Sequence, residues 1–188
     1  MITMKKKILL HSCCGPCSTA VIERLLTEYD VTVFYYNPNI YPVEEYEYRK
    51  DEQKRFISEY NKKNSEKITF VEGDYDNENY YAAVKGLENE NEGGARCVEC
   101  FRLRLEKSAL FAADNGFEIF DTTLSVSPHK NYDLISKIGR EMEDKYGVKY
   151  LAGNYKKQDG FKRSTELARE YELYRQNYCG CEFSIWWK

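Results

Sequence analysis

Short apolar runs alternate with longer amphipathic segments along most of the chain. The runs are rich in β-branched and aromatic residues, which is typical of buried strands. In the segments between them apolar positions recur every three or four residues, as in helices that pack one face on a core. The pattern predicts strands at Lys6–His11, Val31–Tyr36, Lys67–Glu72, Phe117–Asp121 and Val148–Ala152.

Helices are predicted in the segments that separate these strands. The alternation indicates an α/β domain with a mostly parallel sheet flanked by helices. The chain of 188 residues is long enough for one such domain with a complete core. The predicted helices are Ser18–Tyr29, Val43–Lys62, Asn79–Lys85, Cys97–Asn115, one that Asn131 caps and that carries Leu134, Ile135, Ile138 and Met142, and Ser164–Tyr174.

Four polar or cysteine-rich segments follow the carboxyl ends of predicted strands. In a parallel sheet these ends meet at one edge, and ligands bind outside that edge. The sequence therefore predicts a single active site there. The four segments are the cysteine turn Cys13–Cys17, the loop Asn37–Pro42, the segment Asp74–Asp76, and the loop Thr122–Lys130.

Seven cysteines fall into three close groups. An odd number of cysteines cannot pair off completely within the chain. No apolar run has the length of a membrane span or of a signal-peptide core, so we expect a cytoplasmic protein with no membrane partner and with reduced thiols. Tight groups of reduced thiols indicate metal or redox chemistry. The groups are Cys13, Cys14 and Cys17, then Cys97 and Cys100, then Cys179 and Cys181.

The spacing of the thiols suits metal binding. Cys97 and Cys100 begin a predicted helix, where one turn brings both sulfurs to the same side. At the cysteine turn, free N–H groups and the helix dipole favour thiolate, the form that binds metal. Four cysteines complete a 4Fe-4S cluster or a structural zinc site, so seven leave a surplus for a second metal, a redox-active pair or both. Asp74 or Asp76 could add an oxygen ligand to a second metal, although a solvated carboxylate is the default interpretation.

Simpler interpretations of these residues stay open. A four-cysteine zinc site would leave three spectator thiols, whereas Cys14-Gly15-Pro16-Cys17 matches a thioredoxin-like dithiol. His11 and His129 are the two histidines, and each is by default a satisfied core residue. Both border predicted site loops, however, so either could donate a proton.

The charge of the chain gives no global signal for nucleic acid. The formal net charge is −3, which leaves a local basic face as the route to phosphate contacts. A solvated surface is the equally good alternative. The candidate basic residues are Lys156, Lys157, Lys162 and Arg163, together with Arg96, Arg102 and Arg104.

Five motifs together resemble one known family, the cobalamin-independent epoxyqueuosine reductases (QueH). The resemblance runs from about Lys7 to Ser184, and the order of the three cysteine motifs is specific where each motif alone would be weak. The motifs are His11-Ser12-Cys13-Cys14-Gly15-Pro16-Cys17, Tyr36-Asn37-Pro38-Asn39-Ile40, Gly93-Gly94-Ala95-Arg96-Cys97 with Cys100-Phe101 and Arg104-Leu105, Thr122-Thr123-Leu124-Ser125 with Ser127-Pro128 and Lys130-Asn131, and Tyr178-Cys179-Gly180-Cys181.

The resemblance implies a Rossmann-like fold of the adenine-nucleotide alpha-hydrolase group and an iron–sulfur enzyme that acts on tRNA. Such an enzyme removes the epoxide oxygen of epoxyqueuosine at the wobble position by a two-electron reduction and needs an external electron donor. The phosphate loop of that fold group is absent, and the cysteine turn occupies its place. That substitution puts ATP use in doubt.

The family's cofactors carry over as an expected division of the ligands. The resemblance implies a 4Fe-4S cluster and an additional mononuclear iron. The expected cluster ligands are Cys97 and Cys100, completed from Cys14, Cys17 and Cys181. Cys13 and Cys179, with Asp74 or Asp76, are expected to hold the second iron, and residues 175–188 would form a tail that returns to the metals.

Catalytic roles are expected for Cys13, His11 and Asp76. The proton for the departing oxygen would come from His11, Tyr75 or a water. The wobble base would turn outward and stack on an aromatic residue, for which Tyr36, Tyr41 and Tyr132 are the candidates.

Three other classes of protein remain as alternatives. A thiol–disulfide oxidoreductase would use Cys14 and Cys17 and need no iron. A tRNA sulfur-transfer enzyme of the same fold would need a nucleotide-binding loop, which the sequence lacks. A zinc-stabilised binding module would show no turnover.

Overall fold

The computed structural model describes residues 5–185 and contains a five-stranded sheet. The sheet is parallel at every pairing between neighbouring strands. In chain order the strands are β1 Lys6–His11, β2 Tyr29–Tyr35, β3 Thr69–Glu72, β4 Ile119–Thr122 and β5 Lys149–Tyr150. Across the sheet they lie in the order β3-β2-β1-β4-β5.

Six helices connect and cover the strands. They are α1 Gly15–Leu25, α2 Val43–Asn64, α3 Asn77–Ala83, α4 Ala95–Asp114, α5 Tyr132–Tyr146 and α6 Gly160–Glu170, and short 3-10 segments lie at Thr123–Val126 and Glu182–Ser184. The predicted α/β class with a parallel sheet is confirmed. No helix in the part of the chain that the structure describes is long and apolar enough to cross a membrane.

The core lies in two layers because the strand side chains alternate between the faces of the sheet. Ile8 and Leu10 of β1 pack into a cluster with residues of α1, α2 and α6. Leu9 points to the other face, where α4 and α5 supply the apolar side chains. The middle strands are buried on both faces, as parallel strands usually are.

Four of the described helices begin earlier than the sequence pattern predicted, α3 and α4 by two residues each and α1 and α6 by three and four. Helix α1 starts at Gly15 rather than Ser18, since Pro16 suits the first turn of a helix, where its missing N–H is not needed. Helix α6 starts at Gly160 rather than Ser164. A Cβ at Gly160 would clash with the carbonyl oxygen of Tyr155, so the tight approach of chain to helix requires glycine.

Other predicted boundaries were wrong at the ends of elements. Helix α1 ends at Leu25, and Tyr29 belongs to β2, where it pairs with Lys6. Helix α6 ends at Glu170. The loop predicted after β4 contains a 3-10 turn in which the Thr122 hydroxyl accepts a hydrogen bond from the Leu124 N–H. The predicted N-terminal cap of α5 is confirmed, since Asn131 Oδ1 accepts a hydrogen bond from the Leu134 N–H at 3.1 Å.

The topology places the cysteine turn at the centre of the carboxyl edge. Strand β1 has β2 on one side and β4 on the other, and the chain order reverses there. Such a switch point opens a crevice at the carboxyl ends of the strands. The segment after β1 therefore lies where this type of sheet binds ligands.

Candidate metal centre

Three thiols meet at the turn from β1 into α1. Cys14 is the extended N-cap residue of α1, and Cys17 lies in the first turn. The sulfurs of Cys13, Cys14 and Cys17 all lie within 4.8 Å of one another. Only 3.9 Å separates the Sγ atoms of Cys13 and Cys14. One backbone turn thus presents three potential metal ligands to the same point.

The three thiols differ in pKa because they hydrogen-bond to one another. Hydrogen bonds from Cys14 and Cys17, helped by the positive charges of Lys130 and Arg104, hold the pKa of Cys13 well below its usual range. The same bond to Cys13 raises the pKa of Cys14 to about 12, and the bonds to both neighbours raise that of Cys17. Among the three thiols, Cys13 is therefore the one whose surroundings most favour the thiolate.

A buried amide holds the turn from behind. Gln53 of α2 is fully buried. Its Oε1 accepts a hydrogen bond from Ser12 Oγ at 2.6 Å, and its Nε2 donates to Ser18 Oγ at 2.9 Å. The Asn37 amide donates to the Ser12 carbonyl oxygen at 2.8 Å. These bonds fix the backbone on both sides of the three thiols.

Four further thiols form a second group around the start of α4. Cys97 accepts a hydrogen bond from the Gly93 N–H at 3.2 Å. Burial raises the pKa of Cys100 to about 12, and the nearby thiols Cys179, Cys181 and Cys97 add to that rise. Within residues 5–185, no other set of three cysteine, histidine or acidic side chains has its ligand atoms within 4.8 Å of one another. The sulfurs of the second group are therefore less closely spaced than those of the first.

The described part of the C-terminal tail is held by α2 and by the loop after β2. Arg49 is 1% exposed and donates to the carbonyl oxygens of Cys179 at 3.2 Å and Tyr178 at 3.4 Å. The Tyr41 N–H donates to the Gly180 carbonyl oxygen at 2.8 Å. Gly180 has φ +136°, and a Cβ there would press on Arg49 and Ile40 at 3.2 Å. The predicted tail 175–188 is thus seen as far as residue 185, and its last three residues lie outside the described part.

Two cations act electrostatically on both thiol groups. Burial lowers the pKa of Arg104, but the nearby thiols Cys100, Cys179 and Cys13 raise it above its usual value. The pKa of Lys130 is also raised, because Cys179 and Cys13 outweigh the effect of burial. Arg104 donates its Nε to the Cys100 carbonyl oxygen, and Thr123, in the loop that continues to Lys130, lies 3.9 Å from Cys13 Sγ, so one cation lies beside the second group and the loop of the other contacts the first.

His11 is engaged on both sides of its ring. Nδ1 lies 2.9 Å from Thr122 Oγ1, and Nε2 lies 3.0 Å from the Tyr36 carbonyl oxygen. Burial and the charge of Arg104 lower the pKa of His11 to about 4. The ring is therefore neutral, with Nε2–H donating to the carbonyl and Nδ1 accepting from threonine. His129, by contrast, is exposed.

The two predicted acidic ligands lie in the segment after β3. Asp76 caps α3, where its Oδ1 accepts from the Asn79 N–H at 3.4 Å. The Asp74 side chain is 87% exposed and lies 4.0 Å from the Lys107 amine. Neither carboxylate joins the close thiol group.

The three candidate stacking tyrosines differ in access. Tyr36 is 1% exposed, and Tyr41 is 42% exposed. The Tyr132 hydroxyl donates to the Ala152 carbonyl oxygen at 2.8 Å, which holds that ring against the end of β5. Tyr41 is thus the one of the three whose ring lies open at the carboxyl edge.

The predicted basic face is wrong for two of its members. Arg96 is 1% exposed and Arg104 2% exposed, so neither presents charge at the surface. Arg96 instead donates to the carbonyl oxygen of Glu88 at 2.9 Å. Arg104 donates to the Cys100 carbonyl oxygen within α4, so Arg96 is covered by the loop that precedes α4 and Arg104 lies in the interior beside Cys100.

Sequence reasoning missed the residues that hold the thiols in place. Gln53 and Arg49 are polar residues at core positions of α2, one helical turn apart and in line with the buried Phe56 and Tyr60. A polar residue within the apolar stripe of a helix is the signal that could have found them. Gln176, whose Nε2 donates to Cys14 Sγ at 3.1 Å, gives no such signal.

Comparisons with known proteins agree with this site. The family model for epoxyqueuosine reductase QueH matches residues 8–186. A relative of that name from Streptococcus pyogenes serotype M1 is 43% identical over 182 residues, which cover 97% of this chain and 71% of the relative. Another, from Thermotoga maritima, is 36% identical over 181 residues, which cover 95% of this chain and 90% of the relative.

A solved structure is similar in fold. It is the U34-tRNA thiolase NcsA from Methanococcus maripaludis with its 4Fe-4S cluster, with a TM-score of 0.50 and 13% identity. The match covers 97% of this chain and 63% of the thiolase. At that identity the likeness concerns the fold. The family match over nearly the whole sequence, by contrast, shows that the chain belongs to the epoxyqueuosine reductase QueH family.

Proposed function

We propose that the protein is an epoxyqueuosine reductase that acts on the wobble nucleoside of tRNA. In the reaction both C–O bonds of the epoxide break, a C=C bond forms and the oxygen leaves as water. The balance requires two electrons from an external donor and two protons. The observation that carries the proposal is the group of three close thiols at the switch point of the sheet, in a chain of this family.

The donor set fits an iron–sulfur cluster. The close group consists of sulfur ligands only, and thiolate is the ligand that such clusters use. Cys97 and Cys100, completed from Cys14, Cys17 and Cys181, would hold a 4Fe-4S cluster. When bound, the cluster supplies redox chemistry for the reduction.

A separate iron would lie beside the cluster. Cys13 and Cys179, with Asp74 or Asp76, would hold it, and the low pKa of Cys13 suits a ligand that must lose its proton. The sulfurs of Cys13 and Cys14 lie 3.9 Å apart. If Cys14 binds the cluster and Cys13 binds the separate iron, the iron must therefore lie next to the cluster, as expected.

The residues of the chain restrict the source of the protons. His11 is neutral and donates its one N–H to the Tyr36 carbonyl oxygen. The Tyr75 hydroxyl donates to the Ile40 carbonyl oxygen at 2.6 Å. Because both candidates are engaged with backbone, water is the better proton donor. His11 then acts by holding Tyr36 and Thr122 at the edge of the site.

The tRNA would approach the carboxyl edge of the sheet. The modified base must turn outward to reach thiols that are buried or half-buried. Tyr41, on the loop after β2, is exposed and available for stacking, and Lys157 and Lys162 are exposed near α6 for phosphate contacts. In this role the protein acts in the cytoplasm as a single domain over residues 1–188.

The test is nucleoside analysis of tRNA that carries epoxyqueuosine. The tRNA is incubated with iron-loaded protein and a chemical reductant without oxygen. We expect the epoxide nucleoside to disappear as queuosine appears in equal amount. Persistence of the epoxide with full iron and electrons supplied would refute the proposal. A thionucleoside product would favour the sulfur-transfer alternative, and reduction of insulin disulfides by iron-free protein would favour the oxidoreductase alternative.

A further inference from the structure

A buried arginine beside Cys100 has an N–H group without a partner among residues 5–185. Arg104, on α4, donates its Nε to the Cys100 carbonyl oxygen at 3.3 Å. Its guanidinium carbon lies 5.7 Å from the centre of the Phe101 ring. The Nη2 atom is buried and has no hydrogen-bond partner within residues 5–185. An unpartnered buried N–H of a charged group is costly, which points to an anionic partner that the protein chain itself does not supply.

A second cation adds to the same region. Lys130 is half-buried and lies in the loop after β4. The groups that act on it electrostatically include Cys179, Cys13 and Cys17, and Arg104 is among them as a repelling charge. The groups that act most strongly on Arg104 are thiols and a tyrosine rather than carboxylates. Thr123, which begins the loop that continues to Lys130, lies 3.9 Å from Cys13 Sγ, so this loop lies against the first thiol group.

The charge balance changes when the thiols bind iron. Cysteines bind metal as thiolates, so loading the site converts neutral thiols into negative ligands. Each electron that enters the centre adds a further negative charge. Fixed cations nearby favour that more negative, reduced form, and cluster potentials respond to net charge and to hydrogen bonds at the sulfurs.

We propose that Arg104 and Lys130 are positioning residues that balance the charge of the thiolate–iron centre and raise its reduction potential. The inference rests on the proposed function, since it requires the metal centre. Arg104 acts from the buried side, where its position is fixed by Cys100 and Phe101. Lys130 acts from the half-exposed side and is more strongly screened by solvent, so its influence is smaller.

The test measures midpoint potential and metal content together. Wild type, Arg104→Gln, Arg104→Lys and Lys130→Gln are loaded with iron and sulfide without oxygen, and the cluster is titrated with mediators in a spectroelectrochemical cell. We expect Arg104→Gln to shift the midpoint to more negative values, Lys130→Gln to shift it less in the same direction, and Arg104→Lys to remain near wild type. Arg102→Gln is the matched control on the same helix, because Arg102 is partly exposed and pairs with Glu141 at 2.6 Å.

The outcomes separate the inference from the proposed function. An iron-free wild type would overturn both. A wild type that turns over and an Arg104→Gln variant with full iron and an unchanged midpoint would overturn the inference alone. If Arg104→Gln does not fold, the midpoint potential of Lys130→Gln tests the inference, because replacing a half-exposed lysine leaves the core intact. An unchanged midpoint in that variant would then overturn the inference.

Discussion

The two thiol groups are built in different ways. Cys13, Cys14 and Cys17 lie on five consecutive residues of one turn, and their sulfurs lie within 4.8 Å of each other. The other group combines the start of α4 with a tail that is about 80 residues further along the chain. Local backbone geometry assembles the first group, whereas tertiary contacts must assemble the second.

The supports of the two groups follow the same division. Gln53 bonds the turn on both sides of the thiols from a fully buried position. The tail instead depends on Arg49, on one backbone bond between Tyr41 and Gly180, and on the bond from Gln176 to Cys14 Sγ. Since the cysteine turn follows the central strand directly, we expect it to keep its form when the tail is loosened. The comparison thus predicts that Cys13, Cys14 and Cys17 keep their arrangement without the tail, whereas the second thiol group forms only when the tail is in place.

The largest expected effect comes from removing one thiol from each half. We expect Cys14→Ser and Cys100→Ser to fold, to lose cluster iron and to lose epoxyqueuosine conversion, because each removes a ligand of the same cluster. Iron and sulfide analysis and nucleoside analysis measure both effects. Full iron and activity in Cys100→Ser, with loss in Cys14→Ser alone, would show that the second group lies outside the centre.

The next effect comes from the arginine that holds the tail. Arg49 is 1% exposed, and its Nε pairs with Glu45 at 2.7 Å, so Arg49→Met removes the cationic partner of that carboxylate and leaves it only the Tyr174 hydroxyl. Breaking a buried pair in this way costs about 3–5 kcal/mol. We expect chemical denaturation to show this loss and limited proteolysis to cut near the tail. Lys54→Met, on the same helix but 45% exposed, should match wild type, and equal proteolysis of the two variants would refute the role of Arg49.

A smaller effect is expected behind the cysteine turn. Gln53→Ala removes one hydrogen bond from each of the buried hydroxyls of Ser12 and Ser18, which keep their bonds to the carbonyl oxygens of Cys14 and Gly15. Each lost hydrogen bond costs about 0.5–1.5 kcal/mol, which urea denaturation can resolve. The exposed Lys62→Ala serves as control. If Gln53→Ala were as stable as the control and held iron equally well, the turn would need no such support.

The smallest effect concerns a surface pair that joins α1 to α6. Arg163 donates to both carboxylate oxygens of Glu23, at 2.8 and 2.7 Å, and these bonds lower the pKa of Glu23. A lowered carboxyl pKa contributes stability above the ordinary value of 4.5, and that stability is lost as the pH falls through the lowered value. Because the pair is part-exposed, we expect less than about 1 kcal/mol.

The measurement compares the unfolding free energies of wild type and Glu23→Gln. The difference should be present at neutral pH, shrink as the pH falls below 4.5 and weaken in high salt. A difference that grew on acidification would contradict the assigned sign.

The sequence was sufficient for the parts of the molecule that local pattern controls. Alternating runs predicted the parallel α/β sheet, and the position of Cys13–Cys17 after the first strand predicted its place at the carboxyl edge. Asn131 was recognised as a helix cap from its position alone. Each of these features is predicted by a pattern within a single segment, although the strands themselves pair across long stretches of the chain.

The remaining features depend on contacts between distant segments. Arg96 and Arg104 were predicted at a basic surface, but both are buried, and Arg96 bonds to the loop before α4. Spacing likewise does not show that Arg49 reaches the carbonyl of Cys179, 130 residues away. The division of the thiols between two metals stays a prediction for the same reason.

The most direct test of the account is the amount of iron and acid-labile sulfide per chain in protein purified without oxygen. The account predicts about four sulfides, as in one 4Fe-4S cluster, with iron in excess of sulfide by about one for the separate iron. Zinc alone, or no metal, would contradict the central claim that both thiol groups form one iron–sulfur centre.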